Sequence, residues 1–338
     1  MSECSLSKKI SPPSDQELAV AATVLYSSLF KYPLSEDEIR QNLLFFSANG
    51  DSIFETYSRS SWLQGRISVR DGFFVPVGCE KWIQLREKRR IASLELLRNH
   101  SRILKSICAL PFTRLVALSG SISHLNIGPD GDLDLMIVTE AKHVWSVAVA
   151  VILLARAFHR RRTICVNFLL SRTSLKIVGE DLFSATELIH LRPLIGSDLL
   201  RQFLDSNTFI REFFPEFGCH DVEPMLRLGW FGRFAKRCLE VILQQGPGQL
   251  LEWFCRHAYS RYLLARAPNW TTPEDVALDG DRLKLHSHSH RHHILSEFEK
   301  LLIREVGDPD CLRLTTRLHG PAASRPVSES PQPEMVER

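Results

Sequence analysis

The stretch that decides the fold is residues 115–139, which read LVALSGSISHLNIGPDGDLDLMIVT. An apolar run on each side of a polar middle predicts two short buried strands joined by a loop. The first run ends at Gly120 and Ser121, and after ten further residues the second begins with Asp-Leu-Asp-Leu from Asp132. Because side chains two apart in a strand share one face, Asp132 and Asp134 are expected to project together while the leucines enter the core.

Each part of this pattern suits a particular ligand. Two carboxylates held side by side repel each other, and a shared divalent cation relieves the repulsion. Oxygen ligands of this kind suit Mg²⁺ or Mn²⁺. A small Gly-Ser turn after a strand lets backbone N–H groups approach phosphates, and the Ser121 hydroxyl can donate as well. We therefore expect Asp132 and Asp134 to be the catalytic metal ligands and Gly120 and Ser121 to bind a nucleotide.

The order hydrophobic-Gly-Ser, ten residues, Asp-hydrophobic-Asp-hydrophobic resembles the signature of the DNA polymerase β-like nucleotidyltransferase superfamily. The runs TICVNFLLS, DLFSATELIHLRPL and EFFPEFG look like the downstream sequence of bacterial nucleotidyltransferase-domain proteins with an N-terminal winged helix, so the resemblance covers residues 15–305. It implies an α/β (α+β) core with a small mixed sheet. It also implies Mg²⁺-dependent transfer of a nucleoside monophosphate from an NTP co-substrate to a hydroxyl, with release of pyrophosphate. The acceptor in this superfamily can be RNA, protein or a small molecule.

One position departs from the pattern. Members of the superfamily commonly place a third carboxylate on a later strand, and the matching strand here is residues 163–170, whose central polar residue is Asn167. An amide can ligate a metal through its oxygen but cannot accept a proton as a base. Asn167 is therefore expected as the third metal ligand, and two interpretations stay open. The chain is either a working nucleotidyltransferase or a catalytically impaired relative that acts as a nucleic-acid-binding or nucleotide-sensing regulator.

The N-terminal region shows three short helical patterns followed by a hairpin. Ser35 and Glu38 form a capping box that opens the second helix, and Asp71-Gly72 lies between two alternating apolar runs. This order resembles a winged helix over residues 15–78, with an unrelated helical subdomain as the alternative. Residues 80–110 read as helix with eight Lys and Arg against three Glu, either a solvated face or a contact for a nucleic-acid backbone.

The remaining boundaries follow from composition. We expect a disordered lead-in at 1–14, a winged-helix-like domain at 15–78, a basic connecting helix at 79–110, a nucleotidyltransferase core at 111–183, an all-helical region at 184–317 and a disordered Pro-rich tail at 318–338. Asp181 and Glu187 are expected to cap a helix around Ser184, and His190 to be a packed surface residue. The arginines at 156–162 suit a helix C-terminus, with phosphate or RNA contact as the alternative. His124 is expected to be an incidental loop residue, and the histidines at 286–293 a polar approach to the last helix.

Composition limits the remaining classes. The chain has 338 residues and a formal net charge of +3, so charge alone indicates no partner. The eight cysteines contain no C-x-x-C pair, as is typical of reduced cytoplasmic thiols. The N-terminus lacks the apolar region of a signal peptide, and the most apolar run, residues 144–155, is shorter than the roughly 20 residues that span a bilayer. We expect a cytoplasmic protein without a membrane partner. Walker A, G-x-S-x-G and H-E-x-x-H motifs are absent from the sequence.

Overall fold

The computed structural model describes residues 12–47, 50, 52–218, 222–244, 246–285, 290–307, 314 and 318. The side chains of Asn167 and Glu274 also lie outside this description. The predicted lead-in, nearly all of the predicted tail and the histidines at 286–289 are among the residues not described, so the expectations for them stay predictions.

The N-terminal unit, residues 15–78, alternates helices with a small sheet. Its elements are α1 (Asp15–Ser28), β1 (Leu34–Ser35), α2 (Glu36–Gln41), α3 (Ile53–Arg59), α4 (Ser61–Gln64), β2 (Ile67–Arg70) and β3 (Phe73–Pro76). The strands pair antiparallel in the order β1-β3-β2. Ser35 and Glu38 form both hydrogen bonds of the predicted capping box. Asp71 and Gly72 have φ of 52° and 78°, the left-handed values that a tight hairpin turn needs.

Two helices connect this unit to the rest of the chain. The basic segment predicted as one helix is α5 (Lys81–Asn99) followed by α6 (Ser101–Cys108), with a break at His100. Arg86 of α5 forms a bidentate ion pair with Glu38 at 2.7 and 2.8 Å. Arg89 donates to Asn126 Oδ1 at 3.2 Å. Part of the basic character of α5 therefore fixes the N-terminal unit against the core.

A six-stranded sheet forms the centre of the molecule. Its strands are β4 (Thr113–Leu118), β5 (Leu133–Thr139), β6 (Ile164–Ser171), β7 (Arg192–Ile195), β8 (Val276–Leu278) and β9 (Arg282–Leu285), in the order β7-β4-β5-β6-β9-β8. The pair β5–β6 is parallel and the other neighbouring pairs of described strands are antiparallel, so the sheet is mixed. The apolar run predicted as a buried helix is α8 (Val144–Ala157), which makes the crossover that a parallel pair requires.

The expectation of an all-helical region at 184–317 is wrong, because this region contributes β7, β8 and β9 to the central sheet. These strands have three or four residues each, too few to show a period of two in the sequence. The region also holds most of the later helices. The α-helices not yet named are α7 (Gly120–Ser123), α9 (Leu182–Ile189), α10 (Ser197–Ser206), α11 (Ile210–Phe213), α12 (Trp230–Gln244), α13 (Pro247–Leu264) and α14 (Arg291–Val306).

Both faces of the sheet are buried. On one face, Met136 and Val138 of β5 join an apolar core with α1, α9, α10 and α14. On the other face, Leu133, Leu135 and Ile137 pack against α6, α8 and α13. Alternation along β5 thus fills both cores, and Asp134 lies on the face covered by α9. Among the described helices, none combines the length and the apolar character required to cross a membrane.

Candidate functional site

Asp132 and Asp134 lie at the start of β5, where the end of β4 meets it. The Ser119 N–H donates to the Asp134 carbonyl at 3.0 Å, which fixes the Gly-Ser turn beside the acidic pair. Gly120 has φ of 61°, and a Cβ at this position would lie 2.8 Å from Asp134 Oδ2. Glycine is required here by backbone conformation and by space. The structure therefore brings together Gly120 and the two aspartates predicted from the sequence.

Cys165 is the third member of the acidic cluster, and sequence reasoning missed it. The register of the parallel pair sets Cys165 of β6 beside Asp134. The carboxylate oxygens of Asp132 and Asp134 and the Cys165 Sγ all lie within 4.8 Å of one another. The two carboxylates fit Mg²⁺ or Mn²⁺, whereas a thiolate would favour a softer ion such as Zn²⁺. The only sequence signal was a cysteine on the strand predicted to carry the third ligand.

Asn167, the predicted third ligand, lies at an irregularity of β6. Leu135 pairs with Val166 and Met136 pairs with Phe168, so Asn167 is the extra residue of a bulge. Its side chain is outside the described residues, and its role as a ligand stays a prediction. In strand register, the residue opposite Asp134 is Cys165.

A further carboxylate, Glu187, reaches the site from α9. It accepts a hydrogen bond from the Gly120 N–H, and burial raises its pKa. Burial first, then Asp132, then Glu187 raise the pKa of Asp134 to about 7. The Cys165 side chain hydrogen-bonds to Asp134 and acts in the opposite direction. The site thus holds more negative charge than its buried surroundings favour, the electrostatic condition that a divalent cation relieves.

The predicted helix cap is confirmed for Asp181 and wrong for Glu187. Asp181 is the N-cap of α9, and its Oδ1 accepts from the Ser184 N–H at 2.8 Å. Because the helix begins at Leu182, Ser184 occupies the third helical position and Glu187 lies one turn further on. Glu187 therefore faces the sheet instead of the helix terminus.

Two cavities meet at Gly120 and Glu187. The wall of the smaller, of about 460 Å³, carries Asp134, Glu187, Asp275 and Asp279 together with four basic side chains. Those basic residues are Lys176, Arg282, Lys284 and Arg291. Asp275 accepts from Lys284 at 3.1 Å and from Arg291 at 3.2 Å, and it holds both cations at this wall. The chamber combines the acidic cluster with cations, as binding of a metal-bound polyphosphate requires.

The larger cavity, of about 800 Å³, lies between the N-terminal unit and the core. Ser121 of the Gly-Ser turn lines this cavity. Arg192 lines it next to that turn, because Arg192 of β7 pairs with Leu118 at the end of β4. The Arg192 guanidinium has no ion-pair partner among the residues that the structure describes. Arg192 is a second functional candidate that no sequence motif indicated.

Two histidines form part of the same cavity wall. The rings of His124 and His190 have centroids 4.1 Å apart. Burial lowers the pKa of His190 to about 4 and the pKa of His124 well below its usual value, so both are neutral near pH 7. His190 was expected at the surface and instead lines the cavity, because α9 directs it toward the N-terminal unit. His124 also faces this cavity and contacts the Tyr32 ring of the N-terminal unit.

No protein-family model, no curated protein and no solved structure matches the chain. These comparisons therefore give no functional information, and the functional inference must come from the site itself.

Proposed function

We propose that the chain is a nucleotidyltransferase that moves a nucleoside monophosphate from an NTP to a hydroxyl acceptor and releases pyrophosphate. The observation that carries this proposal is the meeting of Asp132, Asp134 and Gly120 where β4 ends and β5 begins, beside a chamber lined in part by basic side chains. In the reaction, the acceptor oxygen bonds to the α-phosphorus and the bond from that phosphorus to the bridging oxygen breaks. Pyrophosphate leaves with the electron pair, and the hydroxyl proton passes to a base.

The residues take the following roles. Asp132 and Asp134 hold a divalent metal, and Mg²⁺ there would neutralise phosphate charge and lower the pKa of the attacking hydroxyl. The basic side chains of the smaller cavity hold the leaving pyrophosphate. Ser121 and Arg192 contact the nucleotide from the other side of the turn. Glu187, which accepts from the Gly120 N–H, supplies the proton acceptor that Asn167 cannot be.

The N-terminal unit supports a related part of the proposal. Its element order and its β1-β3-β2 pairing are compatible with the winged helix that we expect from the sequence, and we include a winged helix in the proposal. Two of the α5 arginines are engaged inside the molecule, which leaves a smaller set of exposed cations for a nucleic-acid backbone. This set is Lys81, Lys88, Arg90, Arg98, Arg102 and Lys105, of which Arg90 forms an ion pair with Glu87 at 2.8 Å. Nucleic acid is thus a possible partner of this unit, as the acceptor or as a separate ligand.

A second candidate function is the nucleotide-sensing regulator without turnover. The position of Glu187 favours this function. Its carboxylate accepts a hydrogen bond from the Gly120 N–H, a donor that a bound phosphate would use. An NTP would have to displace Glu187, and such a displacement could signal nucleotide binding to the adjoining N-terminal unit. Turnover distinguishes this function from the transferase.

The test is incubation of the purified chain with each of the four NTPs labelled at the α-phosphate, with Mg²⁺ or Mn²⁺ and a cell extract as acceptor source. Asp134→Asn is the test variant, and Asp130→Asn, an exposed acid in the preceding loop, is the matched control. We expect label on an acceptor with the native chain and the control but not with Asp134→Asn. Equal labelling by Asp134→Asn would overturn the roles given to the acidic pair. NTP binding in calorimetry without any transfer would favour the regulator.

A further inference from the structure

The helices α12 and α13 form a hairpin from which Lys236, Glu240 and Glu252 point inward. The Lys236 ammonium donates to the carbonyls of Thr113 at 2.6 Å and Cys108 at 3.2 Å, at the end of α6. Glu240 accepts from the Phe112 N–H at 2.7 Å. Glu252 of α13 accepts from the Trp145 N–H at 2.8 Å, in the first turn of α8. These side chains satisfy backbone groups at the ends of other helices, which explains why the polar side of the hairpin faces the protein.

The outward side of the hairpin is apolar. We call the outward side chains of α12 and α13 the hairpin face. Its large members are 57 to 80% exposed, namely Trp230, Phe231, Ile242, Leu250, Trp253 and Phe254. Monomeric proteins seldom expose so many large apolar groups together, so this face is expected to meet a partner.

Exposed arginines lie on the same two helices, and the guanidinium of Arg256 lies beside Gly280, between β8 and β9. Arg233, Arg237, Arg256 and Arg261 are exposed on the two helices. The acidic residues of α12 and α13 are Glu240 and Glu252, and both face inward. Arg161, which follows α8, is exposed and close enough to Tyr259 of α13 to influence its pKa. The hairpin face is therefore both apolar and positively charged.

A partner of the hairpin face must have an apolar layer that side chains can enter and a negatively charged surface. We propose that the hairpin face binds the surface of an anionic lipid bilayer, with both helices lying in the plane of the headgroups. Aromatic and aliphatic side chains enter the acyl boundary, and the arginines contact lipid phosphates. The shortness of the apolar run 144–155 bears only on segments that span a bilayer. Helices that lie on the membrane surface have no such length requirement. This inference does not rest on the proposed transferase activity.

Other occupants fit the hairpin face less well. A second copy of the chain would place arginines opposite arginines with no outward acid on either hairpin to pair with them. Single-stranded nucleic acid takes basic grooves lined by stacking aromatics, whereas this face also carries exposed aliphatic residues such as Ile242 and Leu250. The chain's own residues 319–338 include three large apolar side chains, Val327, Met335 and Val336, too few to cover it.

The experiment is co-sedimentation of the full chain with vesicles of phosphatidylcholine mixed with phosphatidylglycerol, and with vesicles of phosphatidylcholine alone. We expect binding to the anionic vesicles that weakens as salt is added. The double variant Phe231→Ser/Phe254→Ser should lower the partition coefficient about tenfold or more, since each removes an inserted aromatic ring. Arg233→Gln/Arg237→Gln should lower it by a similar factor, from about 1 kcal/mol for each cation near a charged surface.

The matched control is Phe54→Ser, which changes a half-exposed phenylalanine on α3 of the N-terminal unit. It should sediment like the native chain, and circular dichroism should show all variants folded. The proposal is overturned if the native chain ignores anionic vesicles, or if Phe54→Ser reduces binding as much as the double variant. It is also overturned if light scattering shows a dimer that Phe231→Ser/Phe254→Ser dissociates, or if these substitutions abolish binding to single-stranded RNA and not to vesicles.

Discussion

Two regions depart from the usual distribution of side chains, in opposite directions. The first, here called the acidic edge, is the end of the central sheet where Asp132 and Asp134 lie at the start of β5 and Glu187 approaches from α9. The second is the hairpin face of α12 and α13. At the sheet edge, Asp134 and Glu187 are partly buried, and burial raises the pKa of both. On the hairpin, Phe231 is 80% exposed while Glu252 is 8% exposed. Burial of acids and exposure of aromatics each cost stability in an isolated molecule. Two different ligands, a cation at one site and a lipid surface at the other, would offset these costs.

The largest expected effect is at Glu187. Glu187→Gln keeps the shape of the side chain and removes its proton acceptor, so turnover should fall about 10² to 10⁴-fold while metal binding is retained. Calorimetry for the metal and α-phosphate transfer for turnover measure the two quantities separately. An increase in turnover would instead identify Glu187 as an inhibitory contact on Gly120, and the acidic edge would then be regulatory.

A smaller loss is expected from Gly120→Ala. Its Cβ would lie 2.8 Å from Asp134 Oδ2 on a backbone with φ of 61°, so either the turn or the carboxylate must shift. We expect a loss of about 1 to 3 kcal/mol in the free energy of unfolding, with weaker metal binding. Gly128→Ala, in the same loop and without any neighbour within 4 Å, is the control and should behave like the native chain. Equal losses in both variants would show that the acidic edge tolerates displacement.

The pH dependence of metal binding is a further difference between the acidic edge and the hairpin face. Since the pKa of Asp134 is about 7, protons compete with the metal below that value, and the affinity for Mg²⁺ should fall toward about tenfold per pH unit. The raised pKa of Asp134 means that this carboxyl binds more protons in the metal-free folded chain than in the unfolded chain, so its contribution to the free energy of unfolding should fall as pH rises from about 4 to about 7. The lowered pKa values of His124 and His190 act in the opposite direction, so the contribution of Asp134 is measured as the difference between the native chain and Asp134→Asn. Titration calorimetry and denaturant unfolding across this range measure both trends. A difference between the native chain and Asp134→Asn that does not change with pH would show that Asp134 is better solvated than its geometry indicates.

The smallest effect is expected on the hairpin face. Phe231→Ser should change the free energy of unfolding by less than about 0.5 kcal/mol, because its ring makes few contacts in the monomer. Leu135→Ala, in the buried core of β5, should cost about 2 to 5 kcal/mol. Urea unfolding of both variants tests the contrast. A large loss from Phe231→Ser would mean that the exposed rings support the fold, and the case for a lipid partner would weaken.

Local signals predicted much of the N-terminal half. Ser35 with Glu38, Asp71 with Gly72, and the apolar run of α8 each act through neighbours in sequence, so their structures could be predicted directly. The strands β7, β8 and β9 could not, because short strands form only when a sheet edge supplies their hydrogen-bond partners. The break at His100 within the predicted basic helix was not evident from the sequence either.

By itself, the sequence predicted that Asp132, Asp134, Gly120 and Ser121 lie close together, because spacing and strand alternation are local properties of the chain. Only the tertiary structure decided the other members of that site. Cys165 joins through the register of a parallel pair, Glu187 through the face that α9 turns to the sheet, and Arg192 through an edge strand. Likewise, the inward orientation of Glu240 and Glu252 depends on the helix ends that they reach. Contacts between residues far apart in sequence follow from packing, which no local pattern encodes.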